Sequence, residues 1–230
     1  MPKISAFISE LQSYSYGDSV FNPWNDTDEL DIGSDAPKIR SAQLEQYLRL
    51  RSNTAKRIFV AEGLGYQGGR FTGIAMTSER ILLGHQQEIS PSNVLQTFIP
   101  RRTSNPSSSL LAKTQKQNGF TEPTATIVWK ELQHCGIDPF QTILWNIFPF
   151  HPFNKTKGPL SNRPPNSEEL LTGVAYVKKL IDLYPFATII SIGRHSNNTL
   201  NQYNIENIPV PHPANGGVND FKTVMRNLFL

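Results

Sequence analysis

Arg57-Ile-Phe-Val-Ala-Glu-Gly-Leu-Gly-Tyr-Gln-Gly-Gly-Arg-Phe-Thr-Gly73 is the stretch on which the fold turns. Its first six residues include an apolar run with β-branched and aromatic side chains, which predicts a short buried strand. The remainder is dense in glycine, so the strand empties into a loop whose backbone can approach a ligand closely. A P-loop would continue into Lys-Ser or Lys-Thr, and no such pair follows. On its own a glycine-rich loop after a strand is more often a turn than a site. Its meaning depends on what the rest of the chain brings to it.

Three further apolar runs read as strands: Thr142-Ile-Leu-Trp-Asn-Ile-Phe-Pro-Phe-His-Pro152, Ala187-Thr-Ile-Ile-Ser-Ile-Gly-Arg194 and Ile208-Pro-Val-Pro-His-Pro213. Between and around them, helical spacing or caps predict helices over 41–50, 124–136, 167–183 and 219–228, the third with Ser167 at its cap and Glu168 and Glu169 in the first turn. Residues 1–40 read as an N-terminal elaboration with apolar Ile4, Phe7, Ile8 and Leu11, and 103–123 as a polar surface excursion. Strands alternating with helices predict one α/β domain over residues 1–230, a three-layer α/β/α arrangement around a mainly parallel four-stranded sheet. Ligands of such sheets sit at the carboxyl ends of the strands. The unusual segments 63–73, 146–152 and 212–217 all follow a predicted strand, so they are expected on one rim.

Composition narrows the class. No apolar run approaches the roughly 20 residues that span a bilayer, and the opening MPKISAFISELQ lacks the apolar block of a signal peptide, so a soluble, cytoplasmic monomer is expected. A single cysteine, Cys135, excludes an internal disulfide and any cluster built on several thiolates of this chain. The net charge of +3 permits a nucleic-acid partner without demanding one.

Taken in order, Val60-Ala-Glu-Gly-Leu-Gly65, Gly69-Arg-Phe-Thr-Gly73, Leu144-Trp-Asn-Ile-Phe-Pro-Phe-His-Pro152 and Pro211-His-Pro-Ala-Asn-Gly-Gly217 resemble the motif set of the uracil-DNA glycosylase superfamily. The resemblance runs from about Arg57 to the C-terminus and implies a glycosylase-like fold that flips a damaged base out of DNA and hydrolyses its N-glycosidic bond. By motif position it implies that Glu62, Gly63 and Leu64 shape the base pocket and hold water, Phe71 stacks on the base, Asn146 reads its edge, and His212 stabilises the leaving anion. The chemistry fits those residue types. A departing uracil is an anion, which needs a fixed donor aimed at O2, and Pro211 and Pro213 restrict the backbone on both sides of His212. An asparagine offers a carbonyl and an NH₂ that match uracil N3–H and O4, the inverse of cytosine. Gly216 and Gly217 are expected to let backbone N–H groups near DNA phosphates, with Arg70, Lys155, Lys157 and Arg194 adding charge. The expected partner is DNA containing uracil or a related deaminated base.

Departures from the family pattern are specific. Where well-known members place an acid before a proline, this chain has Gly63 followed by Leu64, which leaves the water-orienting group open between Glu62 and Glu79. The first motif is otherwise closest to the iron-sulfur branch, whose four cysteines are absent, so no cofactor or metal is expected. Tyr66 is a candidate for excluding the thymine methyl, although its spacing differs by one residue. No large apolar side chain follows His212; Ala214 and Asn215 at the tip favour weak wedging into a duplex or single-stranded DNA. Two other readings stay open: a non-catalytic nucleic-acid or base binder that has lost the acid, and a hydrolase or binder of free nucleosides or nucleotides. A metal hydrolase using His151, His195 and His212 is the weakest, since none has a ligand-spaced partner.

Overall fold

The computed structural model describes residues 2–230. In chain order the elements are α1 (Pro2–Ser13), β1 (Val20–Phe21), α2 (Ala36–Arg49), β2 (Arg57–Gly63), α3 (Gly69–Thr72), α4 (Glu79–Leu82), α5 (Pro91–Leu95), α6 (Lys113–Asn118), α7 (Pro123–His134), β3 (Thr142–Phe148), β4 (His151–Pro152), α8 (Ser167–Leu183), β5 (Thr188–Ile192), α9 (Arg194–Gln202), β6 (Ile208–Val210) and α10 (Val218–Phe229). Four strands form one parallel sheet in the order β3-β2-β5-β6. Successive side chains of a strand point to opposite faces, and all seven residues of β3 are buried, so both faces are covered. The helices that cover the sheet include α8 against β3, α9 against β5 and β2, and α10 against β6. This is the predicted α/β/α layering.

Local chemistry explains the joints. Helix α8 is capped one residue before the expected Ser167, with Asn166 accepting from Glu169 N–H at 2.9 Å while the Glu169 carboxylate accepts from Asn166 N–H at 2.8 Å. It then lies so close to β3 that a Cβ on Gly173 would stand 2.8 Å from the Ile147 carbonyl carbon. Helix α9, carried by the Asn-rich stretch after the third predicted strand, is absent from the sequence reading; its Ser196 hydroxyl donates to Val60 O at 2.6 Å and ties it to β2.

Three expectations change. The second predicted strand stops at Phe148; after Pro149 the chain turns, and His151–Pro152 pairs antiparallel with Val20–Phe21 instead. The N-terminal segment is therefore built into the body: Ile4, Phe7, Ile8 and Leu11 of α1 are buried, and the Phe7 ring lies 5.7 Å from that of Trp145 on β3. Residues 103–123 are at least partly exposed over most of their length, yet they are not a free excursion either. The buried carboxylate of Glu79 accepts from Thr103 N–H and Ser104 N–H at 3.0 and 2.9 Å and from Phe120 N–H at 3.3 Å, pinning both ends of the segment inward. That occupation removes Glu79 as a candidate for orienting water.

Candidate base-binding site at the carboxyl ends of the strands

All four strands are parallel, so the ends of β2, β3, β5 and β6 open on one side, where Asn146 and Glu62 neighbour Gly63 while His212 is held separately by its own turn. Asn146, only 3% exposed on β3, sits in register with Ala61 of β2. Its Nδ2 donates to Gly63 O at 3.0 Å, which leaves Oδ1 buried with no partner. An acceptor stranded in this way costs about 1–3 kcal/mol, the mark of a group waiting for a donor. Next to Gly63, the Glu62 carboxylate is partly exposed, with Oε1 3.9 Å from His195 Nδ1 at the start of α9. Glu62 through Gly65 form one wall of a cavity of about 260 Å³, and Asn162 through Pro165 form the other. A Cβ on Gly63 would approach Pro165 Cγ to 3.1 Å. An acid at this position would crowd the cavity, which is a local reason for the glycine.

His212 follows β6 and is open to solvent on one side, while desolvation on the other lowers its pKa from 6.5. Ala214 N–H donates to its Nδ1 at 3.0 Å, so in the neutral ring the proton resides on Nε2. The turn has little room: a Cβ on Gly193 would come within 3.0 Å of His212 Cβ, and one on Gly217 would collide with the His212 carbonyl oxygen. Gly216, at φ +86°, is exposed beside it. Backbone constraint thus holds a donor imidazole on the same rim as Asn146 and Glu62.

Other expected residues stand differently. Arg70 is completely buried, paired with Asp28 and, at 3.7 Å, with Asp31, and its guanidinium lies 4.1 Å from the centre of the Phe21 ring. It is not offered to a DNA phosphate. Phe71 is equally buried: Phe120 stacks on it at 4.3 Å and 12°, and the Arg70 guanidinium lies 4.2 Å from its centre, so both faces are taken. A base stacking on Phe71 has to displace one of them. Leu64 is buried, with its N–H donating to Phe148 O at 3.2 Å. Tyr66 stands at the edge of the Phe120 ring at 6.2 Å, and its N–H donates to Asn162 Oδ1 at 3.1 Å, binding the glycine loop to the opposite cavity wall. Lys155 is exposed and paired with Asp18 at 2.9 Å, and Lys157 and Arg194 are exposed.

The sequence reading missed Asn162 and Glu122, isolated polar residues in loops, and gave His195 no role. Among the described residues, no three His, Cys, Asp or Glu side chains are gathered as a metal site. His151 is buried with Nε2 donating to Ser161 O at 2.8 Å, and burial holds its pKa down at about 3. The glycines at 63, 65 and 68 do fall at the G-x-G-x-x-G spacing of a dinucleotide loop. Yet the loop leads into the four-residue α3, and the Glu122 carboxyl lies against Gly68, where a Cβ would stand 2.7 Å from its Cδ. A pyrophosphate needs a long helix N-terminus and no carboxyl in its place.

No family model matches the chain, and no curated protein is similar to it in sequence. Among solved structures the chain is similar to wild-type SMUG2 of Pedobacter heparinus, with a TM-score of 0.60 at 16% identity over 99% of this chain and 93% of that one. At that identity the likeness establishes a shared α/β fold across the whole length.

Proposed function

We propose that the protein is a monofunctional DNA glycosylase that hydrolyses the N-glycosidic bond of uracil or a related deaminated base. The observation that carries this reading is Asn146, a buried amide at a strand end with one proton committed to Gly63 and an unpartnered Oδ1 suited to receive a base N–H. His212 supports it, with Nε2–H as the donor for the departing anion. Glu62 is the partly exposed carboxylate nearest the cavity and the candidate for orienting the attacking water. Lys155, Lys157 and Arg194, with the backbone at Gly216 and Gly217, are the phosphate contacts of this reading.

In this reaction the C1′–N bond breaks, the base departs as an anion toward the His212 donor, water oriented by Glu62 adds its oxygen to C1′, and the proton it releases ends on the departed base, leaving an abasic site. The test is incubation of the purified protein with oligonucleotides carrying uracil, hypoxanthine or xanthine, single- and double-stranded, in the presence of a chelator. Alkali-labile product from at least the uracil strand is expected, and its absence from every substrate would sink the enzymatic reading. The crowding of position 63 by Pro165 favours one alternative, a base-binding protein without hydrolysis, recognised by salt-sensitive DNA binding with base preference but no cleavage.

A further inference from the structure

Glu122 is a half-buried acid that the proposed reaction does not use. It immediately precedes α7, yet its side chain makes no cap hydrogen bond to that helix. It turns onto the glycine loop instead, close against Gly68, and a Cβ on Gly65 would lie 3.7 Å from its Oε1 and 3.8 Å from Asn162 Nδ2. Oε2 is buried with no hydrogen-bond partner. No charged group opposes it: Gly65 and Gly68 present backbone, and the segment after β4 presents the uncharged amide of Asn162. His151, whose ring is associated with Asn162, is neutral. Desolvation alone raises Glu122 to about 7. Near neutral pH much of the population is therefore a carboxylic acid, which carries an O–H donor that a carboxylate lacks.

Asn146 and Glu122 hold the same loop at different points, Asn146 at the Gly63 carbonyl and Glu122 beside Gly65 and Gly68, and Gly63 and Gly65 both line the cavity. Because one amide proton of Asn146 is committed to Gly63 O, its free acceptor is the stronger half of its recognition edge. We propose that Glu122 is a specificity-determining residue of the base site, its carboxyl O–H donating to the exocyclic carbonyl of a base whose adjacent ring N–H is received by Asn146 Oδ1. This inference rests on the glycosylase reading and names its substrate class: bases with an N–H beside a C=O, as in uracil and hypoxanthine. Cytosine and adenine present a bare ring nitrogen beside an NH₂, the inverse pattern, and an ionised Glu122 suits them better than it suits uracil.

The test is equilibrium binding of oligonucleotides carrying uracil or cytosine at one position, from pH 6 to pH 9, with the wild type, Glu122→Gln and Glu122→Ala; cleavage is followed in parallel. The wild type is expected to prefer uracil at pH 6 and to lose about five- to tenfold of that preference as pH rises through 7, the scale of one hydrogen bond. Glu122→Gln keeps a donor at every pH, so its preference is expected to persist to pH 9. Glu122→Ala is expected to show the weakened preference throughout. His212 does not generate this limb, because its pKa lies below 6.5. A Gln variant with the wild-type pH profile, an Ala variant with the wild-type preference, or a wild type indifferent to base at pH 6 would each overturn the assignment. Binding preference without cleavage would instead reject the glycosylase reading while leaving Glu122 as a reader of the base.

Discussion

The turn around His212 and the platform around Phe71 were both read from motif position, and they came out differently. At His212 the side chain is aimed by its own backbone: prolines on both sides, Ala214 N–H on Nδ1, and two glycines where a Cβ would not fit. At Arg70 and Phe71 the side chains are captured by residues remote in sequence, Asp28 and Asp31 for the guanidinium and Phe120 for the ring. A motif predicts the direction of a side chain best where local covalent constraint fixes it. It transfers poorly where long side chains find partners in segments that the motif does not include.

The sharpest way to break this contrast is Arg70→Met. Removing the cation leaves Asp28 without its partner and Asp31 with Arg40 alone, and a loss of about 1–3 kcal/mol in urea unfolding is expected, with the salt dependence of DNA affinity unchanged. A stable variant with a shallower salt slope would return Arg70 to the DNA surface. His212→Ala is expected to do the reverse, lowering single-turnover cleavage by about 10²–10³ while moving the unfolding midpoint little. Acid provides a milder probe of the same turn. Protonating His212 puts a hydrogen on Nδ1, where Ala214 N–H already points, so the rate is expected to fall about tenfold per unit below a pKa under 6.5. A rate rising toward acid would show that the cation is the working form. The smallest effect belongs to Lys155→Ala: stability unchanged, and a slope of log affinity against log salt reduced by about 0.9, since its pair with Asp18 is exposed and readily exchanged for a phosphate.

The sheet was legible because each strand is a continuous apolar run bounded by turn residues, and the rim was legible because unusual residues follow those runs. Helix α9 was not, since its buried face consists of Ser196, Thr199 and Leu200, a single apolar residue among them. Residues 103–123 misled because their Ser, Asn and Lys content describes the exposed part, whereas their inward attachment is made by backbone N–H groups to one distant carboxylate, Glu79, which leaves no trace in composition. Asn146 could be suspected from an amide inside an apolar strand. Glu122 could not, because only the fold lays it against Gly65 and Gly68.

The short ribbon joining Val20–Phe21 to His151–Pro152 has a consequence for how the chain is made. During synthesis α1 and β1 emerge before β2 and β3, but β4, the partner of β1, is added only after them. The apolar stripe of Ile4, Phe7, Ile8 and Leu11 must therefore wait through much of the ribosomal passage, without Trp145 to shield it. The same closure anchors the segment that begins at His151 and leads to Asn162, so the far wall of the cavity takes shape only once β1 and β4 are both present.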